Sequence, residues 1–137
     1  MEIEFPIEFL IGGTPVSSQA KRAESRDQWK RRVKAASQSA IPKPHFVSTE
    51  RMSVTIFYLP AEPMEGDIDN IAKPILDALC RHIYLDDGQV ERLVVQKFEP
   101  GNLFSFSQPT TTLARALEVS KPILYVRVSN DPAEDLE

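Results

Sequence analysis

The stretch Met52–Leu59, Met-Ser-Val-Thr-Ile-Phe-Tyr-Leu, constrains the fold more than any other part of this chain. It is rich in β-branched and aromatic residues and is closed by Pro60 and Pro63, so it reads as a buried strand. Other segments supply elements to set beside it. Residues 3–11 alternate through Ile3, Phe5, Ile7, Phe9 and Ile11, then stop at Gly12-Gly13 and Pro15, as a first strand would. A helix is expected over about residues 20–39, with Trp29, Val33, Ala36 and Ala40 on one stripe. Trp29 is expected to anchor the core there and not to stack on a base. Pro42 and Pro44 end that region.

Helical pattern returns through Ile75, Leu76, Ala78 and Leu79. Pro74 either opens that helix or kinks a short turn over residues 69–72. Residues 93–98 and 122–129 read as two further strands, and residues 99–112 as a long connection carrying Phe104 and Phe106. These two rings are expected to pack on the sheet or on a second subunit, with wedging between bases as the alternative.

A chain of 137 residues is about one domain, and 42% hydrophobic with 26% charged residues is ordinary for a globular protein. The expected body is residues 1–130, followed by an acidic tail, residues 131–137, expected to be disordered. No apolar run approaches the length of a membrane span. The start, Met1-Glu2-Ile3-Glu4-Phe5, is acidic where a signal peptide would be basic. One cysteine, Cys80, excludes an internal disulfide and a thiolate zinc cluster. The expected compartment is the cytoplasm.

Charge is unevenly spread. The net charge is −4, yet Lys21, Arg22, Arg26, Lys30, Arg31, Arg32, Lys34 and Lys43 crowd into residues 21–43. The acids gather between Glu62 and Glu99 and in the tail. One basic segment and one acidic cluster suit a metal-dependent nuclease, the first holding phosphates and the second a cation. A solvated helix in a mildly acidic protein is the plain alternative.

The acidic cluster has two steps, Gly66-Asp67-Ile68-Asp69-Asn70-Ile71-Ala72-Lys73 and Asp86-Asp87-Gly88. Magnesium takes oxygen ligands, usually one or two carboxylates, and leaves its other positions to water and phosphate. A lysine close by can steady charge on a transferring phosphoryl group. On an extended segment Asp67 and Asp69 would face the same side and could meet one cation. Each step also has a structural reading: Asp69 or Asn70 can cap a helix, and Asp-Gly is a turn signal. Their concurrence, one helix-length apart, favours the cation, because packed anions repel unless one neutralises them. Lys73 is a solvated lysine or a partner for Asp77, while His82, Tyr84 and Cys80 read as turn or packing residues.

The runs Asp67-Ile68-Asp69-Asn70-Ile71-Ala72-Lys73-Pro74-Ile75-Leu76-Asp77-Ala78-Leu79 and Tyr84-Leu85-Asp86-Asp87-Gly88-Gln89-Val90 closely resemble the RusA family of Holliday junction resolvases. The likeness is dense over residues 66–97 and looser outside them. It implies a single α/β (α+β) domain, a small mixed sheet of about four strands packed with two main helices. It also implies a homodimer that cuts four-way DNA junctions by paired symmetric nicks in phage or prophage recombination and repair, with Mg²⁺ as cofactor and Mn²⁺ as a substitute. The alternatives are a non-catalytic branched-DNA-binding domain that keeps the fold and a nuclease acting on other branched DNA such as flaps. Matched by position, Asp67, Asp69 and Asp87 correspond to the essential carboxylates and Lys73 to the essential lysine, with Asp86 as an adjacent metal ligand. Lys21, Arg22, Arg26, Lys30, Arg31 and Lys34 are the expected DNA contacts. Members of the family are often basic, and this chain is acidic overall. Met64-Glu65-Gly66 offers no aromatic or arginine wedge before Asp67.

Overall fold

The structure is a computed structural model that describes residues 1–64, 66–102 and 104–134. In chain order its elements are β1 (Ile7–Gly12), α1 (Ala23–Ser37), β2 (Met52–Leu59), α2 (Asp69–Leu79), β3 (Val90–Lys97), α3 (Thr111–Glu118) and β4 (Ile123–Ser129). The strands form one sheet in the order β1-β4-β2-β3. β4 lies between β1 and β2 and runs antiparallel to both, while β3 runs parallel to β2. A parallel neighbour needs a crossover connection, and α2 is that crossover. The fold is a single α+β domain with a mixed four-stranded sheet.

β2 and β4 sit inside the sheet, and this is why their sequences are apolar almost throughout. On one face Val54, Ile56 and Val126 meet Trp29 and Val33 of α1 and Ile75, Ala78 and Leu79 of α2. Val33, Ile75 and Leu79 are completely buried, and each such side chain contributes about 1.5–3 kcal/mol. Trp29 is 2% exposed, the core anchor that its helical spacing suggests.

The opposite face is covered by α3, a helix absent from the sequence reading, so three helices and not two pack the sheet. Thr110 caps α3 by accepting from the Leu113 N–H at 3.1 Å, and Leu113 and Ala116 are its buried residues. They pack with Leu59, Ile123 and Tyr125, and with Phe57, Phe98 and Phe106. Phe106 stacks on Phe57 with centroids 5.8 Å apart, and Phe104 lies 4.7 Å from Phe98. Both rings therefore pack at the sheet within one subunit, though Phe104 keeps 42% of its surface exposed.

Several boundaries differ from the sequence pattern: β3 begins at Val90, three residues ahead of the expected start, and β4 at Ile123, one residue later. The first strand begins at Ile7, with Ile3 packed into the core ahead of it. α1 spans Ala23–Ser37, and a short 3₁₀ turn follows over Gln38–Ala40. Part of the expected disordered tail is attached to the sheet: the Glu134 carboxylate accepts from Arg127 at 3.0 and 3.2 Å and from the Ser129 hydroxyl at 3.1 Å. Residues 135–137 of that tail lie outside the described residues. Among the described residues no helix is long and apolar enough to cross a membrane.

Candidate active site

The first acidic step is folded into the start of α2 and is not extended. Ile68 occupies the cap position in helical geometry with no side-chain cap, and Asp69 is the first helical residue. The Asp67 carbonyl accepts from the Asn70 N–H at 3.2 Å, so Asp67 and Asp69 flank a tight turn and do not share one side of a strand. Asp67 and Asp69 are both exposed. Asp69 lies at the helix N-terminus, where the macrodipole favours a negative group.

α2 runs unbroken past Pro74, and the proline still leaves a mark. A residue at position 74 would normally donate its N–H to the carbonyl four residues back, Asn70, and proline has no N–H to give. The Asn70 carbonyl accepts instead from the Ser18 N–H at 3.0 Å, and the Asn70 side-chain oxygen accepts from the Ser18 hydroxyl at 3.0 Å. Pro74 thereby frees an acceptor that ties the loop after β1 to the acidic turn. Between this loop, the end of β2 and the turn lies a cavity of about 360 Å³, bordered by Thr14, Ser17, Tyr58, Asp67 and Asn70.

The second acidic step divides its two carboxylates between two tasks. Asp86 caps a 3₁₀ turn over Asp87–Gln89, its Oδ2 accepting from the Gly88 N–H at 2.9 Å. Asp87 lies against α2 instead, close to Lys73, to Cys80 and to the Tyr84 hydroxyl. Tyr84 is fully buried and also donates to the Leu76 carbonyl at 3.1 Å. Burial first, and then the Asp87 charge, hold the Tyr84 hydroxyl far above its ordinary pKa, so it stays a donor. Burial and the same carboxylate raise the Cys80 thiol.

Lys73 lies between the two steps on the exposed side of α2. Its ammonium bonds Asp77 one turn on at 2.9 Å, the i,i+4 spacing that places both on one face. That hydrogen bond and the Asp77 charge raise the Lys73 pKa, with a smaller contribution from Asp87. Lys30 of α1 reaches the other oxygen of Asp77 at 3.9 Å. Asp77 therefore joins the basic helix to the acidic motif. From spacing alone Asp77 is a partner only for Lys73, and Tyr84 is a packing residue. The i,i+4 spacing pointed to the first contact, and nothing local pointed to Lys30 or to the Tyr84 hydroxyl.

The expected DNA contacts are not equally free. Arg26 donates to the Ala20 carbonyl and Lys30 is engaged by Asp77, whereas Lys21, Arg22, Arg31 and Lys34 are exposed. His82 faces α1: its Nε2 lies 2.8 Å from the hydroxyl of the buried Ser37, and burial lowers its pKa.

Among the described residues no three His, Cys, Asp or Glu side chains form a group that could hold a metal ion. The donor set nonetheless suits magnesium, since Asp67, Asp69, Asp86 and Asp87 are exposed oxygen donors. A hard cation that keeps most of its water needs only one or two carboxylates at an open rim. Asp86 enters this set with one oxygen already spent on its cap.

No curated protein matches the chain. A family match does, to the family described as endodeoxyribonuclease RusA, over residues 14–103. Those residues hold the loop after β1, the basic helix, both acidic steps and Lys73. The chain belongs to the RusA endodeoxyribonuclease family, whose members resolve Holliday junctions.

Proposed function

We propose that this protein is a Mg²⁺-dependent endodeoxyribonuclease that resolves four-way DNA junctions by paired symmetric nicks as a homodimer. The observation that carries the reading is the double ion pair at Asp77, which brings Lys30 of the basic helix to the same carboxylate as Lys73 of the acidic motif. A backbone gripped by α1 then lies next to the groups that act on it.

Asp67, Asp69 and Asp87 are the residues that would supply the one or two carboxylates a hydrated cation needs, with Asp86 as an auxiliary ligand. When bound, Mg²⁺, or Mn²⁺ in its place, orients and acidifies a water for attack on the phosphodiester. Lys73, kept charged by Asp77, faces the charge that builds on the reacting phosphate or the leaving oxygen. The exposed Lys21, Arg22, Arg31 and Lys34 bind phosphates, with Arg26 and Lys30 setting the edge of that surface. A two-fold dimer presents two such sites to the two equivalent cleavage points of a junction.

The test is Asp69→Asn assayed on a synthetic four-way junction in Mg²⁺. The expected result is junction binding at wild-type strength or better with cleavage abolished. A variant that still cuts would remove Asp69 from the site.

A further inference from the structure

The turn that carries Asp86 and Asp87 is capped by Asp86 and tied to the segment leading into β2 by the side chain of Gln89. Its Oε1 accepts from the N–H groups of Leu85 and Asp86, each at 2.8 Å. Its Nε2 donates to the carbonyls of Ser48 and Glu50 at 2.9 and 2.7 Å. A primary amide offers two donors and two acceptor positions, and Gln89 has all of them occupied by backbone. The orientation of the amide is fixed too, because a flipped group would set its NH₂ against two N–H donors and its oxygen against two carbonyls. The two sides it joins belong to different parts of the chain: residues 85–86 enter the acidic turn, and residues 48–50 lead into β2. The backbone ties Ser48 to the chain just ahead of the turn, its N–H donating to the Ile83 carbonyl at 2.8 Å and its carbonyl accepting from the Leu85 N–H at 3.3 Å. Among the described residues, Asp86 and Glu50 are joined only through Gln89.

Asp87 is the carboxylate that this turn delivers to Lys73 and to the Tyr84 hydroxyl. We infer that Gln89 is a positioning residue of the nuclease, fixing where Asp87 stands relative to Lys73 without itself touching substrate. The inference rests on the function proposed above. Truncating Gln89 takes this partner from the Asp86 N–H and the Glu50 carbonyl and leaves the Leu85 N–H and the Ser48 carbonyl only their bond to each other, and the turn can then settle elsewhere. Residues that orient a ligand in this way typically govern metal affinity or rate by roughly 10- to 100-fold.

The experiment compares the wild type, Gln89→Ala and Val128→Ala. The last is a core change in β4 away from the turn and serves as a control for lost stability alone. Three quantities are read: the saturating junction-cleavage rate with its Mg²⁺ midpoint, Mn²⁺ binding by electron paramagnetic resonance, and amide exchange at Leu85 and Asp86. For Gln89→Ala the expected outcome is faster exchange at both amides, weaker Mn²⁺ binding, a raised Mg²⁺ midpoint and a rate roughly 10- to 100-fold lower. Metal-free junction binding should be unchanged, and Val128→Ala should keep the wild-type midpoint. If Gln89→Ala does not fold, Gln89→Glu, which keeps the acceptor for both amides, gives the same comparison with a smaller displacement. A folded variant with wild-type rate, midpoint and Mn²⁺ affinity overturns the inference. A wild type that binds Mn²⁺ but cuts no DNA defeats the nuclease reading instead, and the Mn²⁺ and exchange data then decide the role of Gln89 without it.

Discussion

At the scale of single residues, Asp77 and Asp86 have different work from the carboxylates beside them. Asp77 takes an ammonium on each oxygen, 2.9 Å from Lys73 and 3.9 Å from Lys30. The Lys73 side chain keeps 62% of its surface exposed, so the pair stabilises the fold by at most about 1 kcal/mol. In the proposed reaction its value lies in orienting the Lys73 ammonium. Asp77→Asn should therefore leave thermal stability within a few degrees of wild type and lower cleavage sharply, less than Lys73→Met, for which a loss of about 10²–10³ is expected. A Lys73→Met enzyme at wild-type rate would remove the lysine from the mechanism. Asp86 and Asp87 should separate in the same assay. Asp86→Asn retains a capping side chain and most of its activity, because asparagine caps as well as aspartate. Asp87→Asn has no such refuge and should not cleave.

At the scale of elements, α2 is held at both ends by contacts that its own sequence does not announce. At its start, Pro74 frees the Asn70 carbonyl for Ser18. Pro74→Ala would restore an N–H that competes for that carbonyl, so amide exchange at Ser18 should quicken with little change in global stability. Unaltered exchange at Ser18 would contradict this account of the loop. Beyond its end, His82 joins α1 through Ser37 at 2.8 Å and lies edge-on to His45 with centroids 5.2 Å apart. Burial, and then the charges of His45 and Lys34, depress the His82 pKa below 6.5. A histidine held neutral in the fold contributes stability that is fully present above its unfolded pKa of about 6.5 and is lost as pH falls through that value towards the folded one. The melting temperature should drop as pH falls below about 6.5, and His82→Gln should flatten that part of the curve. A profile that His82→Gln leaves unchanged would assign the drop to other groups.

The same elements explain what the sequence made legible. Met52–Leu59 was read to the residue, because a strand buried on both faces and closed by prolines carries its own boundaries. α3 was hidden, being eight residues long, preceded by a Pro/Gly/Ser/Thr run and burying only Leu113 and Ala116. At the site, Lys73 with Asp77 followed from spacing. Lys30 with Asp77, and Tyr84 with Asp87, arise where α1, α2 and the acidic turn pack together, and no local pattern encodes that. The reading of Asp67 and Asp69 as an extended pair failed because Ile68 already adopts helical geometry.

At the scale of the whole molecule, a chain of net charge −4 is asked to bind a polyanion. It can do so because its cations are gathered: Lys21, Arg22, Arg31 and Lys34 are exposed on or just ahead of one helix. With about 0.9 counterions released per phosphate neutralised, these four predict a log–log salt slope of roughly −4 per subunit. An affinity that ignores salt would mean that α1 is not the DNA-binding surface. Whether the basic helix and the acidic motif form one junction-cutting site is decided by a single assay. A labelled synthetic four-way junction and a linear duplex of the same sequence are incubated with the protein, with and without Mg²⁺. Paired symmetric nicks in the junction, only with the metal, and an intact duplex are the expected result. Tight junction binding without nicks in either Mg²⁺ or Mn²⁺ would contradict it.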